Sequence, residues 1–125
     1  MVFSKHRVFY WLLVLGYCGV IFYFSSRPAL SITHDKIAHL TEYSLLGFFV
    51  AAAIKHYFQP RPLFLILITV GLGTLYGVSD EFHQYFVPGR ECSVWDALAD
   101  LTGSFLGACL YVTYSRLQKP SPANS

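Results

Sequence analysis

The sequence predicts an all-α fold: a bundle of four membrane-spanning helices with no soluble domain. Only 13% of the residues are charged, 54% are hydrophobic, and long apolar segments alternate with short polar ones. Soluble domains carry about 25% charged residues, whereas a bilayer solvates apolar side chains directly and needs charges only at the water-facing ends. We therefore predict an integral membrane protein whose single domain covers residues 1–125.

Four apolar segments each approach the ~20 residues that a helix needs to cross ~30 Å of hydrocarbon. They lack the alternating pattern of barrel strands, so they favour helices, which satisfy their backbone groups internally. Proline-containing turns at 27–28, 60–62 and 88–90 separate them. The predicted helices cover residues 8–25, 37–54, 63–82 and 94–114.

The basic residues predict that both termini are cytoplasmic, because loops rich in Lys and Arg stay on that side. The cytoplasmic set is then Lys5, Arg7, Lys55, Arg61, Arg116 and Lys119, and the external set is Arg27, Lys36 and Arg90. All seven acidic residues fall in the outer loops or the outer halves of helices. Because carboxylates contribute little to topology, their one-sided placement needs another explanation.

The second, third and fourth helices are expected to bring polar faces together at their outer ends, since residues three or four apart share a helix face. The candidate pocket comprises Lys36, His39, Glu42, Tyr43, Asp80, Glu81, Gln84, Arg90, Asp96 and Asp100. Deeper in the membrane, Gly73-x-x-x-Gly77 and Gly103-x-x-x-Gly107 are patterns that pack membrane helices closely. This arrangement predicts a core of helices two to four, with helix one packed outside it.

The polar cluster has two interpretations. Carboxylates inside a membrane cost roughly 2.5 to 3.5 kcal/mol each by insertion scales, so they need partners. The first interpretation is therefore an ion-pair network that satisfies the carboxylates and fixes the helix register. The other is a site for acid–base chemistry or ligand binding, with Lys36 and Arg90 as anion contacts. His39-x-x-Glu42 lacks the second histidine of a zincin helix, so the sequence predicts no metal. It predicts no cofactor either, since phosphate loops and dinucleotide fingerprints are missing.

The order and spacing of these residues resemble the VanZ-like family of small bacterial membrane proteins. The matching pieces are Asp35-Lys36-x-x-His39 with Tyr43, Glu81-x-x-Gln84, Pro88-Gly89-Arg90, and Asp96 with Gly103 and Gly107. Asp100 departs from the family pattern, which usually has asparagine there. The resemblance implies a multi-pass protein of the bacterial cytoplasmic membrane. The family's namesake is associated with low-level resistance to the glycopeptide teicoplanin, but the resemblance implies no particular reaction.

Three functional hypotheses remain open. The first is a protein that binds or modifies an envelope lipid, glycan or glycopeptide in an outward-facing polar pocket. The second is an intramembrane enzyme acting on a lipid-linked substrate, with His39 or Glu81 as base. The third is a structural or partner-binding subunit whose charges lock the helices together. The bilayer is the expected partner, nucleic acid is not because the net charge is only +2, and the oligomeric state stays open.

Overall fold

The computed structural model describes residues 5–28 and 32–119, which form four α-helices and no strand. The helices are α1 (Lys5–Ser25), α2 (Ile32–Phe58), α3 (Pro62–Tyr85) and α4 (Val94–Leu117). The all-α prediction is confirmed. The predicted boundaries are too short, most clearly for α2, which begins before residue 37 and ends after residue 54.

The boundaries differ because the prediction followed the apolar runs, whereas the helices continue through polar residues. Asp35 lies in the first turn of α2, where the helix dipole favours a negative charge. Ser93 caps the N-terminus of α4, because its hydroxyl accepts a hydrogen bond from the backbone N–H of Trp95 at 3.2 Å. The polar residues are therefore held on rigid helices, and the site is built from helix ends more than from loops.

Three helices in the described part of the chain, α1, α2 and α3, are long and apolar enough to cross a membrane. The predicted fourth span, α4, is as long as α3 but carries Asp96 and Asp100 in its first two turns, and it is not among the helices apolar enough to cross a membrane. The prediction of four spans is therefore supported for three of them. Large hydrophobic side chains cover the outside of the bundle, including Phe64 (61% exposed) and Leu75 (68% exposed). Such a surface suits hydrocarbon rather than water, so the structure is that of a membrane protein.

The most extensive helix contact joins α2 and α4, and glycines make it close. A Cβ atom at Gly103 would lie 2.7 Å from the carbonyl oxygen of Leu40, and one at Gly107 would overlap the carbonyl oxygen of Ser44. Both glycines are buried. The two backbones therefore touch directly, which small residues permit in membrane helices.

Glycines on α3 pack against neighbouring positions on the same face of α4. Gly73 lies against the Ser104 side chain, and a Cβ at Gly77 would lie 2.8 Å from both Cβ and Oδ2 of Asp100. Gly47 on α2 also contacts the Ser104 backbone, although it belongs to no glycine pair spaced four residues apart. The close contacts bring α2, α3 and α4 together directly below the polar residues.

The first helix packs mainly on α2 and touches α3 at fewer points. Tyr76 donates a hydrogen bond of 2.6 Å to the Cys18 carbonyl oxygen, joining α3 to α1. At the other end of the bundle, Tyr10 of α1 stacks on His56 of α2 with ring centroids 4.2 Å apart. The hydrogen bond and the ring stack position α1 on the outside of the α2–α4 core.

Candidate functional site

A buried histidine, His39, lies at the centre of the polar cluster near the start of α2 and is 2% exposed. Its Nδ1 lies 2.7 Å from Oδ1 of Asp100 on α4. Its Nε2 lies 3.7 Å from Oδ1 of Asp35 and 3.9 Å from Oε1 of Glu81 on α3. Gln84 adds a longer contact, with its amide nitrogen 3.5 Å from His39 Nε2. The imidazole thus joins the three helices of the core.

The Arg90 guanidinium ties the α3–α4 turn to the rest of the bundle. It pairs with Asp35 through Nη1, and it donates to the carbonyl oxygens of Arg27 (2.7 Å) and Phe24 (2.9 Å). Gly89 precedes it with a φ of 82°, a conformation that glycine adopts without steric cost. The Arg90 side chain is only 8% exposed, so the arginine predicted as an anion contact is already engaged by a carboxylate.

The second cation, Lys36, is more accessible. Its ammonium lies 3.1 Å from Oδ1 of Asp96, but the Lys36 side chain is 39% exposed whereas that of Asp96 is 2% exposed. The carboxylate is therefore buried beneath a partly exposed ammonium. A water-facing or lipid-facing anion can reach Lys36 without opening the bundle.

An apolar groove begins at Lys36 and runs between α2 and α4. Its volume is about 410 Å³, and its lining residues are Lys36, Ile37, Leu40, Trp95, Leu98, Ala99 and Thr102. We call it the Lys36 groove. Because its lining is mostly apolar and its head carries a positive charge, its chemistry matches that of an anionic amphiphile.

Two further contacts hold the cluster together. Tyr43 donates a hydrogen bond of 3.2 Å to Oδ2 of Asp80, and both residues are buried. The backbone N–H of Ser93 donates to Oε2 of Glu81 at 3.2 Å, which links the end of α3 to the start of α4. Glu42 differs, because it forms no hydrogen bond or ion pair with the side chains that the structure describes.

Three buried oxygen atoms of the cluster have no hydrogen-bond partner within residues 5–28 and 32–119: Oε1 of Glu81, Oε1 of Gln84 and Oδ2 of Asp100. The three residues are 5%, 1% and 0% exposed, respectively. An unpaired polar atom in a low-dielectric interior costs free energy. A bound cation or a ligand donor would satisfy such oxygens, so the cluster has unused binding capacity.

Hydrogen bonds or ion pairs join all the predicted pocket residues except Glu42, which makes neither contact with the described side chains. The centre of the cluster is closed, since His39, Asp96 and Asp100 are each at most 2% exposed. Two contributors were missing from the predicted pocket. Asp35 could have been included, since it precedes His39 by one helical turn on the same face. The Ser93 contribution is a backbone N–H, which no side-chain pattern reveals.

The fold and the cluster define an all-helical membrane protein with a buried histidine–carboxylate cluster at one end. The VanZ/LLP1 family model matches residues 7–115. The chain therefore belongs to the VanZ/LLP1 family, and the resemblance drawn from the sequence is confirmed. No curated protein and no solved structure matches the chain significantly.

Proposed function

We propose that the protein binds an anionic lipid-linked component of the bacterial cell envelope, with the hydrophobic chain in the Lys36 groove and the anionic headgroup on Lys36. The observation that carries this proposal is the position of Lys36, whose side chain is 39% exposed, in the lining of an apolar groove. Under the predicted orientation, the groove lies in the outer half of the cytoplasmic membrane.

The walls of the groove support a hydrocarbon occupant. Ile37 is 60% exposed, Trp95 is 69% exposed and Leu98 is 47% exposed, so these side chains face the bilayer. In a membrane, such a groove is filled by an acyl or prenyl chain. Trp95 lies in the first turn of α4, and its amphipathic ring suits the boundary between hydrocarbon and headgroups.

The charges around the groove restrict the headgroup. Lys36 is already paired with the buried Asp96, and further carboxylates lie behind it. The negative potential of these carboxylates would repel a polyanion. A single phosphate carries less charge, and it can share the Lys36 ammonium with Asp96. The association of the family's namesake with glycopeptide resistance also directs the proposal to envelope components.

An alternative role is structural, and the ion pairs themselves favour it. Arg90 connects Asp35 of α2 to backbone carbonyls at the end of α1, and Lys36 connects α2 to α4. A network of this kind orders four helices without any ligand. The lipid-binding role and the structural role make different predictions. Only lipid binding requires Lys36 to discriminate between headgroups.

Brominated lipids test the proposal, since Trp95 lies in the groove and its fluorescence is quenched by bromine on contact. The Trp11→Phe variant leaves Trp95 as the only tryptophan. In nanodiscs, we expect brominated phosphatidylglycerol to be favoured over brominated phosphatidylcholine by about fivefold, because one basic residue near an anionic lipid contributes ~1 kcal/mol.

The preference should disappear in Lys36→Gln and persist in Lys119→Gln, which removes a cation from the other end of the chain. Equal quenching by both lipids in the Trp11→Phe protein would refute the proposal. An unchanged preference in Lys36→Gln would refute the assignment of the headgroup site. Membrane abundance of each variant distinguishes loss of binding from loss of the folded protein.

A further inference from the structure

The His39 ring is oriented like a metal-binding histidine. A carboxylate accepts hydrogen bonds and does not donate them, so the 2.7 Å contact with Asp100 makes His39 Nδ1 the donor. In the neutral imidazole, Nε2 then carries the lone pair. A carboxylate that accepts from one ring nitrogen while the other binds a metal is the usual support of such histidines. Only the 3.5 Å contact from the Gln84 amide competes for Nε2 within the described residues.

Carboxylate oxygens from two helices surround Nε2. The nearest are Oδ1 of Asp35 at 3.7 Å and Oε1 of Glu81 at 3.9 Å. Donor atoms of Asp35, His39 and Asp96 lie within 4.8 Å of one another. Ligands that sit ~2.1 Å from a shared cation are ~3.4 Å apart in a tetrahedron and up to ~4.2 Å apart across an octahedron. The donors of Asp35, His39 and Asp96 would have to move closer together to share one ion. Glu81 lies outside that group and is added through its contact with His39 Nε2.

The unpaired oxygen of Glu81 is an independent indication of a ligand. Glu81 is 5% exposed, its Oε2 accepts the Ser93 N–H, and its Oε1 has no hydrogen-bond partner although it is directed toward His39 Nε2. Buried carboxylate oxygens are normally satisfied by donors or by cations. A cation at Nε2 would satisfy this one.

The formal charge around the imidazole also favours a dication. The neighbouring charged side chains are the carboxylates of Asp35, Asp80, Glu81, Asp96 and Asp100 and the cations of Lys36 and Arg90. With a neutral imidazole, these groups leave a formal charge of −3 inside a membrane protein. Uncompensated charge is costly there. Protonation of His39 would cancel one unit of this charge, whereas a divalent cation would cancel two.

We infer that His39, Asp35, Glu81 and Asp96 form a binding site for one divalent transition-metal cation. One imidazole with several carboxylates suits ions such as Zn²⁺ or Mn²⁺. The ligands come from α2, α3 and α4, which explains why the spacing within a single helix predicts no metal. The site adjoins the Lys36 groove through Asp96 but does not depend on lipid binding.

A second set of donors, on His39, Asp80 and Asp100, also lies within 4.8 Å. Both sets contain carboxylates that already pair with other side chains. The first set differs in lying beside Glu81, whose unpaired Oε1 is 3.9 Å from His39 Nε2. The Asp80→Asn variant therefore serves as a control. It removes a carboxylate from the cluster while leaving the proposed ligands in place.

The test measures metal stoichiometry and affinity of the full chain, purified in detergent with a tag that contains no histidine. After treatment with a chelator and titration with Zn²⁺ or Mn²⁺, we expect the parent protein to bind one ion per chain. Glu81→Gln, which keeps the size of the side chain, should weaken binding by about tenfold or more. His56→Ala should retain parental affinity, since His56 lies at the other end of the bundle. Asp80→Asn should weaken binding less than Glu81→Gln does, because it removes a neighbouring charge but no proposed ligand.

Two further readouts keep the test informative if a variant is poorly folded. Circular dichroism establishes whether Glu81→Gln is helical, and Co²⁺ substitution reports ligand geometry through its visible absorption in the parent. A parent that binds neither ion would overturn the inference, as would parental affinity in a folded Glu81→Gln protein. A larger loss in Asp80→Asn than in Glu81→Gln would also contradict it, because the ion would then lie at the other set of donors.

Discussion

The two ends of the bundle handle their charges in different ways. At the acidic end, Lys36 and Arg90 pair with the carboxylates of Asp96 and Asp35. At the opposite, basic end, a cavity of about 270 Å³ is lined by ten residues, none of them acidic: Lys55, His56, Gln59, Pro62, Leu65, Tyr111, Val112, Ser115, Arg116 and Lys119.

The charges at the two ends of the bundle have different roles. Lys55 and His56 lie in the last turn of α2 and Arg116 in the last turn of α4, where the helix dipole favours positive charge and water can solvate it. These residues need no ion-pair partner. At the acidic end, burial makes each charge depend on its neighbours. Substitutions at the acidic end should therefore affect folding, and those at the basic end should affect orientation.

The largest effect should come from the centre of the acidic end. His39→Leu removes the hydrogen-bond donor of the fully buried Asp100, and breaking a buried pair costs about 3–5 kcal/mol. His56→Leu at the basic end removes a ring that stacks on Tyr10 and should cost less than about 1.5 kcal/mol. Thermal unfolding in detergent compares the two variants. Equal shifts would contradict the distinction between the ends.

A smaller effect is expected at Arg90, which is nearer the surface. Arg90→Ala removes the pair with Asp35 and the hydrogen bonds to Arg27 and Phe24, and hydrogen bonds to charged groups contribute about 1.5–3 kcal/mol. Arg90→Lys should recover only part of the stability, because an ammonium lacks the planar fork of donors. Full recovery in the lysine variant would show that charge alone matters.

Substitutions in the middle of the bundle measure the effect of helix packing alone, since no charged group is changed. Gly107→Ala places a methyl group against the Ser44 carbonyl oxygen, and overpacking of this kind costs about 1–3 kcal/mol. Gly16→Ala is the matched control, since nothing lies within 4 Å of the added atom. It should be neutral or stabilising, because alanine favours helices. Unfolding midpoints in the same detergent decide whether the two variants differ.

The smallest effect on stability should come from the basic end. Changing Lys55, Arg116 and Lys119 together to glutamine should alter stability by about 0.5 kcal/mol or less per site. The same change removes basic residues from the end of the bundle that is predicted to be cytoplasmic. We therefore expect a fraction of the chains to insert in the opposite orientation while still folding.

Labelling of Cys92 measures that fraction. This residue is an exposed free cysteine in the α3–α4 loop, so a membrane-impermeant maleimide should label it on intact cells when the loop is external. Partial burial and the nearby Glu81 carboxylate raise the pKa of the Cys92 thiol. Labelling should therefore accelerate as the pH rises. Cys92→Ser gives the background from the other two cysteines, and unchanged labelling in the triple variant would contradict the predicted topology signal.

Much of the fold could be predicted because apolar run length and proline turns are local properties of the chain. The helix ends were less predictable. Asp35 and Gln84 continue α2 and α3 beyond the apolar runs, since a helix end in the membrane interface tolerates polar side chains. The composition of the cluster was accessible from helical periodicity. Gly47 was missed because it belongs to no glycine pair spaced four residues apart, and only the packing reveals its contact with the Ser104 backbone.

The sequence by itself determined that the chain is a helical membrane protein of the VanZ/LLP1 family and that its acidic residues gather toward one end. Only the tertiary structure decided which groups pair: Asp100 with His39, Asp96 with Lys36, and Asp35 with Arg90. It also decided that the centre of the cluster is closed and that Lys36 heads a groove. Helix periodicity is a local property of the sequence, whereas the partners of a buried charge depend on how α2, α3 and α4 pack against one another.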